Sequence, residues 1–130
     1  MRFVPTEDYV YPWPVHVVFP SPTEAGKTVT ETFTAKFKLL PSDVGEKLME
    51  EQRQALLSAD ATAAAIVEGQ KKQIRAFFVG WVEDTLLDDK KKPIAFSAEA
   101  RDQLLNVSPI RDAVVRAYGE SQRARPAEGN

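Results

Sequence analysis

Four acidic side chains and three lysines are grouped between residues 83 and 92, in the stretch EDTLLDDKKK. Carboxylates placed this closely could bind a divalent cation or act as a general acid and base. Their spacing does not match a calcium-binding loop, and no glycine stands at the bend that such a loop requires. A short run with both signs of charge is typical of a solvated connection. We therefore predict no metal site at the acids, which are Glu83, Asp84, Asp88 and Asp89.

A second stretch, SPTEAGKT at residues 21 to 28, ends like a phosphate-binding loop. In such a loop glycine amides surround the phosphates, the lysine reaches the outer phosphate and the threonine binds magnesium. Here Ser21 stands where the first glycine is needed, and Thr28 leads into an alternating pattern instead of a helix. The stretch therefore predicts a turn between two strands.

The composition excludes several kinds of site. There is no cysteine and one histidine, His16, so thiol catalysis, cysteine-bound zinc and histidine-rich metal sites are excluded. The 17 basic and 19 acidic side chains give a net charge of −2, which offers no general attraction to nucleic acid or anionic lipid. No signal peptide or membrane-spanning run is visible. We predict a soluble, intracellular, non-enzymatic chain without a cofactor, and a small enzyme that uses carboxylates or lysines remains the alternative.

Two strands are predicted near the start of the chain. Apolar residues alternate over residues 15 to 19, with His16 as an exposed sheet residue, and again from Thr28 to Leu39, where Glu31 is the one charged residue on the apolar face. The segment before them is rich in proline and aromatic residues and is expected to be extended; its aromatic residues are Tyr9, Tyr11 and Trp13.

Four helices are predicted after Pro41. The first runs from about residue 43 to residue 58, and the second from residue 60 or 62 to about Val82, with Phe77, Phe78 and Trp81 on one core-facing side. Ser97 caps a third helix and the Ser-Pro step at residue 108 opens a fourth. The fold class is α+β, an N-terminal antiparallel hairpin or small sheet with about four helices packed on it. Residues 1–13 are an extended arm, 14–120 a single domain and 121–130 a disordered tail.

Large apolar residues outside the predicted core suggest protein-binding surfaces. Leu86 and Leu87 lie in a loop, and together with Ile94 they are the predicted partner-binding residues. Tyr9, Tyr11 and Trp13 are predicted to dock on a neighbouring copy of the chain.

The order of four stretches resembles the tail assembly chaperones of long-tailed bacteriophages and prophages. These stretches are FTAKFKLLP (33 to 41), VGWVED (79 to 84), KPIAFSAEARDQLL (92 to 105) and IRDAVVRAYGES (110 to 121). They match a strand, a tryptophan with an acidic loop, a proline and phenylalanine before a leucine pair, and a terminal helix with a tyrosine. The loop after the tryptophan lacks the family's Asp-Gly turn. The resemblance makes Phe37, Trp81, Phe96 and Tyr118 anchors of the fold.

The resemblance implies a chaperone that binds the tape measure protein, the helical ruler of the tail, and keeps it soluble in the cytoplasm of the bacterial host. It also implies a possible link to the tail tube protein through a longer frameshifted form, weak homo-oligomers, and absence from the mature virion. Nucleic acid and membrane are not expected as partners. A structural tail component of the virion is the other alternative to a chaperone.

Overall fold

The computed structural model describes residues 1–5 and 9–123. Its strands are β1 (Val10–Pro20), β2 (Thr28–Lys38) and β3 (Phe78–Trp81), which form one antiparallel sheet in the order β1-β2-β3. Its α-helices are α1 (Ser42–Leu57), α2 (Ala63–Phe77), α3 (Ala98–Leu105) and α4 (Ser108–Gln122), and a 3-10 turn spans Glu83–Thr85. The predicted α+β fold, a small N-terminal sheet followed by four helices, is confirmed.

The hairpin of β1 and β2 forms one wall of the core. Val15 pairs with Phe33, and both side chains are buried on the face that the helices cover. The alternation of apolar and polar residues in the sequence is the cause, because successive side chains of a strand point to opposite faces. Gly26, with φ 76°, closes the connection between the strands, and Thr28 continues directly into β2, so residues 21 to 28 form a turn and not a phosphate-binding loop.

The outer edge of β1 carries its prolines. The Leu39 N–H donates to the Tyr9 carbonyl at 3.1 Å. Because the backbone groups of an antiparallel strand point alternately to one side and the other, odd-numbered residues of β1 bond to β2 and even-numbered residues direct their N–H and C=O groups outward. Prolines lack a backbone N–H and are tolerated in a sheet on such an edge. The outward positions of β1 include Pro12, Pro14 and Pro20.

One outward carbonyl of β1 is covered by α4. The Arg116 guanidinium donates to the His16 carbonyl at 2.9 Å. The exposed His16 ring is hydrogen-bonded to the Thr32 hydroxyl at 2.9 Å. This edge therefore lacks the N–H groups of three prolines and has one carbonyl already bonded, which makes it a poor partner for another strand.

The prediction for the end of the second helix was wrong. The helix ends at Phe77, and Phe78 and Trp81 lie in β3, where they pair with Phe37 and Ala35. A bulge adds one residue to β3, so two side chains three positions apart both face the core. A helix gives the same spacing on one face, and this is why the sequence pattern was ambiguous.

The predicted domain boundaries also change. The arm was predicted to end at residue 13, but β1 begins at Val10, because the Tyr11 and Trp13 side chains continue the core-facing side of the strand. At the other end, α4 reaches Gln122, two positions into the predicted disordered tail. Residues 6 to 8 of the predicted arm and 124 to 130 of the predicted tail lie outside the described residues.

Aromatic rings form the centre of the core. Phe37 is fully buried and contacts Phe77 and Tyr118 edge to face, with ring centroids 5.7 Å and 5.5 Å apart. Tyr118 stacks on Phe77 at 3.9 Å, which joins α4 to α2. The predicted core positions of Phe37, Phe77 and Trp81 are confirmed.

Candidate functional site

Trp81 fixes the segment that follows β3. Its side chain is buried, and its indole N–H donates to the Ile94 carbonyl at 2.7 Å. Phe96 packs edge to face on the indole with centroids 4.9 Å apart, and the Arg101 guanidinium lies 5.6 Å from the Phe96 centroid. The segment from residue 82 to residue 96 is therefore held at both ends by one tryptophan. Phe96 contacts this anchor although 38% of its surface is exposed.

The segment is a closed turn and not an open connection. The Ile94 N–H donates to the Leu86 carbonyl at 2.9 Å, and the Asp88 N–H donates to the Lys92 carbonyl at 2.9 Å. Leu87 and Pro93 form a β-bridge between the two sides. We call residues 86 to 94 the loop hairpin. Its backbone bonds give the two leucines fixed positions.

Asp88 has a structural part in the loop hairpin. Its carboxylate accepts hydrogen bonds from the backbone N–H groups of Lys90 and Lys92 at 2.8 Å and 3.0 Å. Lys91 has φ 63°, the left-handed conformation that glycine adopts at lower cost. The tip of the turn is thus formed without glycine. Within residues 1–5 and 9–123, no three acidic or histidine side chains are grouped so that they could hold a metal ion.

A cleft of about 480 Å³ lies between the loop hairpin, the core-facing side of the β1–β2 hairpin and the junction of α3 with α4. Its walls are mostly apolar. The apolar lining residues are Val17, Phe19, Phe33, Leu86, Leu87, Leu104 and Ile110. The charged lining residues are Glu31 and Asp88, both acidic. The cleft can therefore accept an apolar side chain with a cationic neighbour.

The three predicted partner-binding residues differ in their exposure and in whether they line the cleft. Leu87 is 47% exposed and stands at the rim of the cleft, whereas Leu86 is half-buried and packs against the core. Ile94 is half-buried, packs against the core and does not line the cleft. The two leucines thus line the cleft together, whereas Ile94 contributes its backbone N–H to the Leu86 carbonyl and stays outside the cleft.

The three aromatic residues of the predicted self-association arm do not form a separate surface. Tyr11 and Trp13 are half-buried against the core, and the Tyr11 hydroxyl is hydrogen-bonded to the Ser121 hydroxyl at 2.7 Å. The Gln122 side-chain amide also donates to the Tyr11 hydroxyl, at 3.0 Å. Tyr9 is 45% exposed and is the member of the three that remains open to a neighbouring molecule.

Tyr118, the fourth predicted anchor, packs against the core and joins α4 to the sheet. Its hydroxyl donates to the Lys38 carbonyl at 3.3 Å, and its ring is half-buried between α4 and the sheet. Burial raises the pKa of the Tyr118 phenol above its ordinary value, because the charged phenolate would lose hydration there.

A second apolar surface was missed by sequence reasoning. Helix α1 packs against α2 but has no buried residue, and Met49 and Leu57 are 70% and 69% exposed. Neighbouring positions of a helix point about 100° apart, so Leu56 and Leu57 face different directions. In the structure both are exposed, Leu56 at 51% of its surface. The adjacent leucines were the signal in the sequence for this surface.

Titratable groups with shifted pKa values lie outside the cleft. A hydrogen bond from Arg53 lowers the pKa of the Glu50 carboxyl, and a hydrogen bond from Lys72 lowers that of Glu51. Neither carboxyl lines the cleft. In the part of the chain that the structure describes, the buried residues are apolar, with no charged or polar member. The arrangement at the cleft is suited to binding.

Comparison with known proteins found no relative of this chain. No protein-family model, curated protein or solved structure matches this chain. Across the described residues, no helix combines the length and apolarity that crossing a bilayer demands.

Proposed function

We propose that this chain is a non-enzymatic tail assembly chaperone of a long-tailed bacteriophage or prophage. It binds the tape measure protein through the cleft, keeps that protein soluble in the host cytoplasm and supports assembly of the tail tube. The observation that carries the proposal is the open apolar cleft at Leu86 and Leu87. Several walls of the cleft come from stretches that carry the resemblance to these chaperones, among them Phe33, Leu104 and Ile110, while Leu86 and Leu87 lie in the loop where this chain departs from the family.

The apolar lining of the cleft suits a helical client. An amphipathic helix exposes apolar side chains at regular intervals, and a groove between secondary-structure elements can accept one or two of them. One small contact of this kind is weak, so many copies along a long ruler would solubilise it and could still dissociate. The proposal includes weak contacts between copies, recruitment of the tail tube protein by a longer frameshifted form, and absence from the mature virion.

Co-expression with the tape measure protein of the same genome tests this proposal. We expect the otherwise insoluble ruler to become soluble in a large complex with many copies of the chain. Leu87→Ser should reduce this solubilisation, because it removes the exposed apolar wall of the cleft. Leu57→Ser is the control for loss of an exposed leucine, since Leu57 is 69% exposed on α1 and does not line the cleft.

Three outcomes would contradict the proposal. A ruler that stays insoluble would refute chaperone activity. Loss of solubilisation in Leu57→Ser but not in Leu87→Ser would move the client to α1. Finding the chain in purified virions at the abundance of a tail protein would favour the alternative, a structural tail component.

A further inference from the structure

Glu31 is an acidic residue whose side chain makes no contact that stabilises the described fold. It is the charged residue on the core-facing side of β2, and its exposed carboxylate lines the cleft. Among the described residues it has no hydrogen-bond or ion-pair partner. Asp88, the other acid of the cleft, accepts the backbone N–H groups of Lys90 and Lys92 and forms no ion pair among the described residues. A ligand of the cleft should therefore bring a positive charge next to an apolar group.

The chain itself carries a segment with this chemistry. Arg2 is exposed, and the neighbouring Phe3 ring is 79% exposed. Val4 next to it is also exposed, at 36%. A large aromatic side chain left in water beside a base is the complement of an apolar cleft with two acids at its walls.

The same molecule cannot easily supply this segment to its own cleft. Phe3 is seven residues from Val10, a distance of at most about 25 Å for a fully extended chain. Val17 of the cleft lies seven residues along β1 from Val10, about 23 Å away in the opposite direction. To reach its own cleft, the segment would have to reverse direction at Val10, run straight along the proline edge of β1 and then turn around that edge to the core-facing side. The distance of about 23 Å leaves almost none of the reach of about 25 Å for these two turns.

We propose that the Arg2-Phe3 dipeptide of a second copy docks in the cleft. Its Phe3 ring lies between Leu87 and the apolar residues of the β1–β2 hairpin that line the cleft, and its Arg2 lies beside Glu31. The contact is heterologous, since a different surface of each copy takes part. It can therefore join copies in a row. A client that enters the cleft displaces the segment, and this last step rests on the proposed function for the identity of the client.

Sedimentation of the purified chain over a wide concentration range tests the docking without any client. We expect reversible self-association that weakens with added salt, because the Arg2–Glu31 pair is screened. Phe3→Ser should lower the association constant about tenfold, as expected when one aromatic side chain is no longer buried. Val18→Ser is the matched control, since Val18 is 45% exposed on the opposite face of the sheet.

Charge reversal tests the orientation of the segment. Arg2→Glu and Glu31→Arg should each weaken self-association about fivefold or more, and the double variant should restore most of it, because the pair is re-formed with exchanged signs. Both substitutions are at exposed positions, and circular dichroism should confirm that each of the three variants is folded.

The results separate this inference from the proposed function. A wild-type chain that is monomeric at all concentrations, or variants that all sediment like wild type, would refute the docking whatever the client does. Failure to solubilise the ruler, with self-association that still depends on Phe3 and Glu31, would refute the chaperone proposal and leave the docking intact.

Discussion

The two leucines of the loop hairpin should respond very differently to the same substitution. Leu86 is half-buried against the core, whereas Leu87 is 47% exposed. Full burial of a leucine contributes about 1.5–3 kcal/mol, so removal of a half-buried one together with its packing should cost about 1–2 kcal/mol. An exposed leucine replaced by serine should change the free energy of unfolding by less than about 0.5 kcal/mol.

These free energies convert to melting temperatures. An unfolding entropy of about 2 cal/mol/K per residue gives about 0.27 kcal/mol/K for a chain of 130 residues. Leu86→Ser should therefore lower the melting temperature by about 4–7 °C, and Leu87→Ser by less than about 2 °C. Thermal unfolding followed by far-ultraviolet circular dichroism measures both values, and urea unfolding provides the free energies directly.

The binding assays should show the reverse order. Leu87→Ser should reduce both self-association and solubilisation of a client while the fold stays intact, because Leu87 forms the exposed rim of the cleft. Equal losses of stability in the two variants would show that Leu87 is part of the core. No loss in Leu86→Ser would show that the loop hairpin is not closed in solution, and either result would refute the assignment of the rim to Leu87.

Three further predictions concern other parts of the fold. Trp81→Phe should destabilise the chain by about 2–3 kcal/mol in urea unfolding, because the buried indole is reduced in size and the Ile94 carbonyl loses its donor. The same change should make the loop hairpin a site of limited proteolysis, and resistance equal to wild type would contradict this. Gly45→Ala should raise the free energy of unfolding by about 0.5–1 kcal/mol, since a Cβ there meets open space in α1, whereas Gly26→Ala should lower it because φ is 76°. The pKa of Tyr118 in the folded chain is raised above 10.0, so the neutral phenol favours the folded state. This contribution to stability is complete at pH values below the pKa of the unfolded chain and is lost as pH rises through the pKa of the folded chain. Tyr118→Phe should remove the corresponding loss of stability at alkaline pH, and a pH profile of unfolding identical to wild type would contradict this.

The β1–β2 hairpin and the number of helices could be predicted because their signals are local. Alternation from Thr28 to Leu39 is sufficient to define a strand, and Ser97 caps its helix through a hydrogen bond from the Ala100 N–H at 3.0 Å. The aromatic stretch at the end of α2 could not be assigned in the same way. A bulged strand and a helix both place Phe78 and Trp81 on one side, and pairing with β2 decides between them.

The cleft itself could be predicted only in part. Leu86 and Leu87 were recognised as loop residues, but their different burial depends on how the loop hairpin folds back on the core. The walls contributed by Phe19 and Ile110 come from distant parts of the chain. Their convergence is a property of the three-dimensional packing, which residue spacing does not contain.

The prolines on the outer edge of β1 determine how copies of this chain can come together. Three of the six outward-directed positions between Val10 and Pro20 are proline, and the carbonyl of a fourth, His16, is bonded to Arg116. The outer edge of β1 is therefore a poor template for pairing with the sheet of another copy, as exposed edge strands otherwise tend to be. If copies assemble as proposed, contacts at this edge are made by side chains, and hydrogen exchange of the β1 amides should not slow on assembly. A copy could then dissociate without breaking a series of backbone hydrogen bonds along β1.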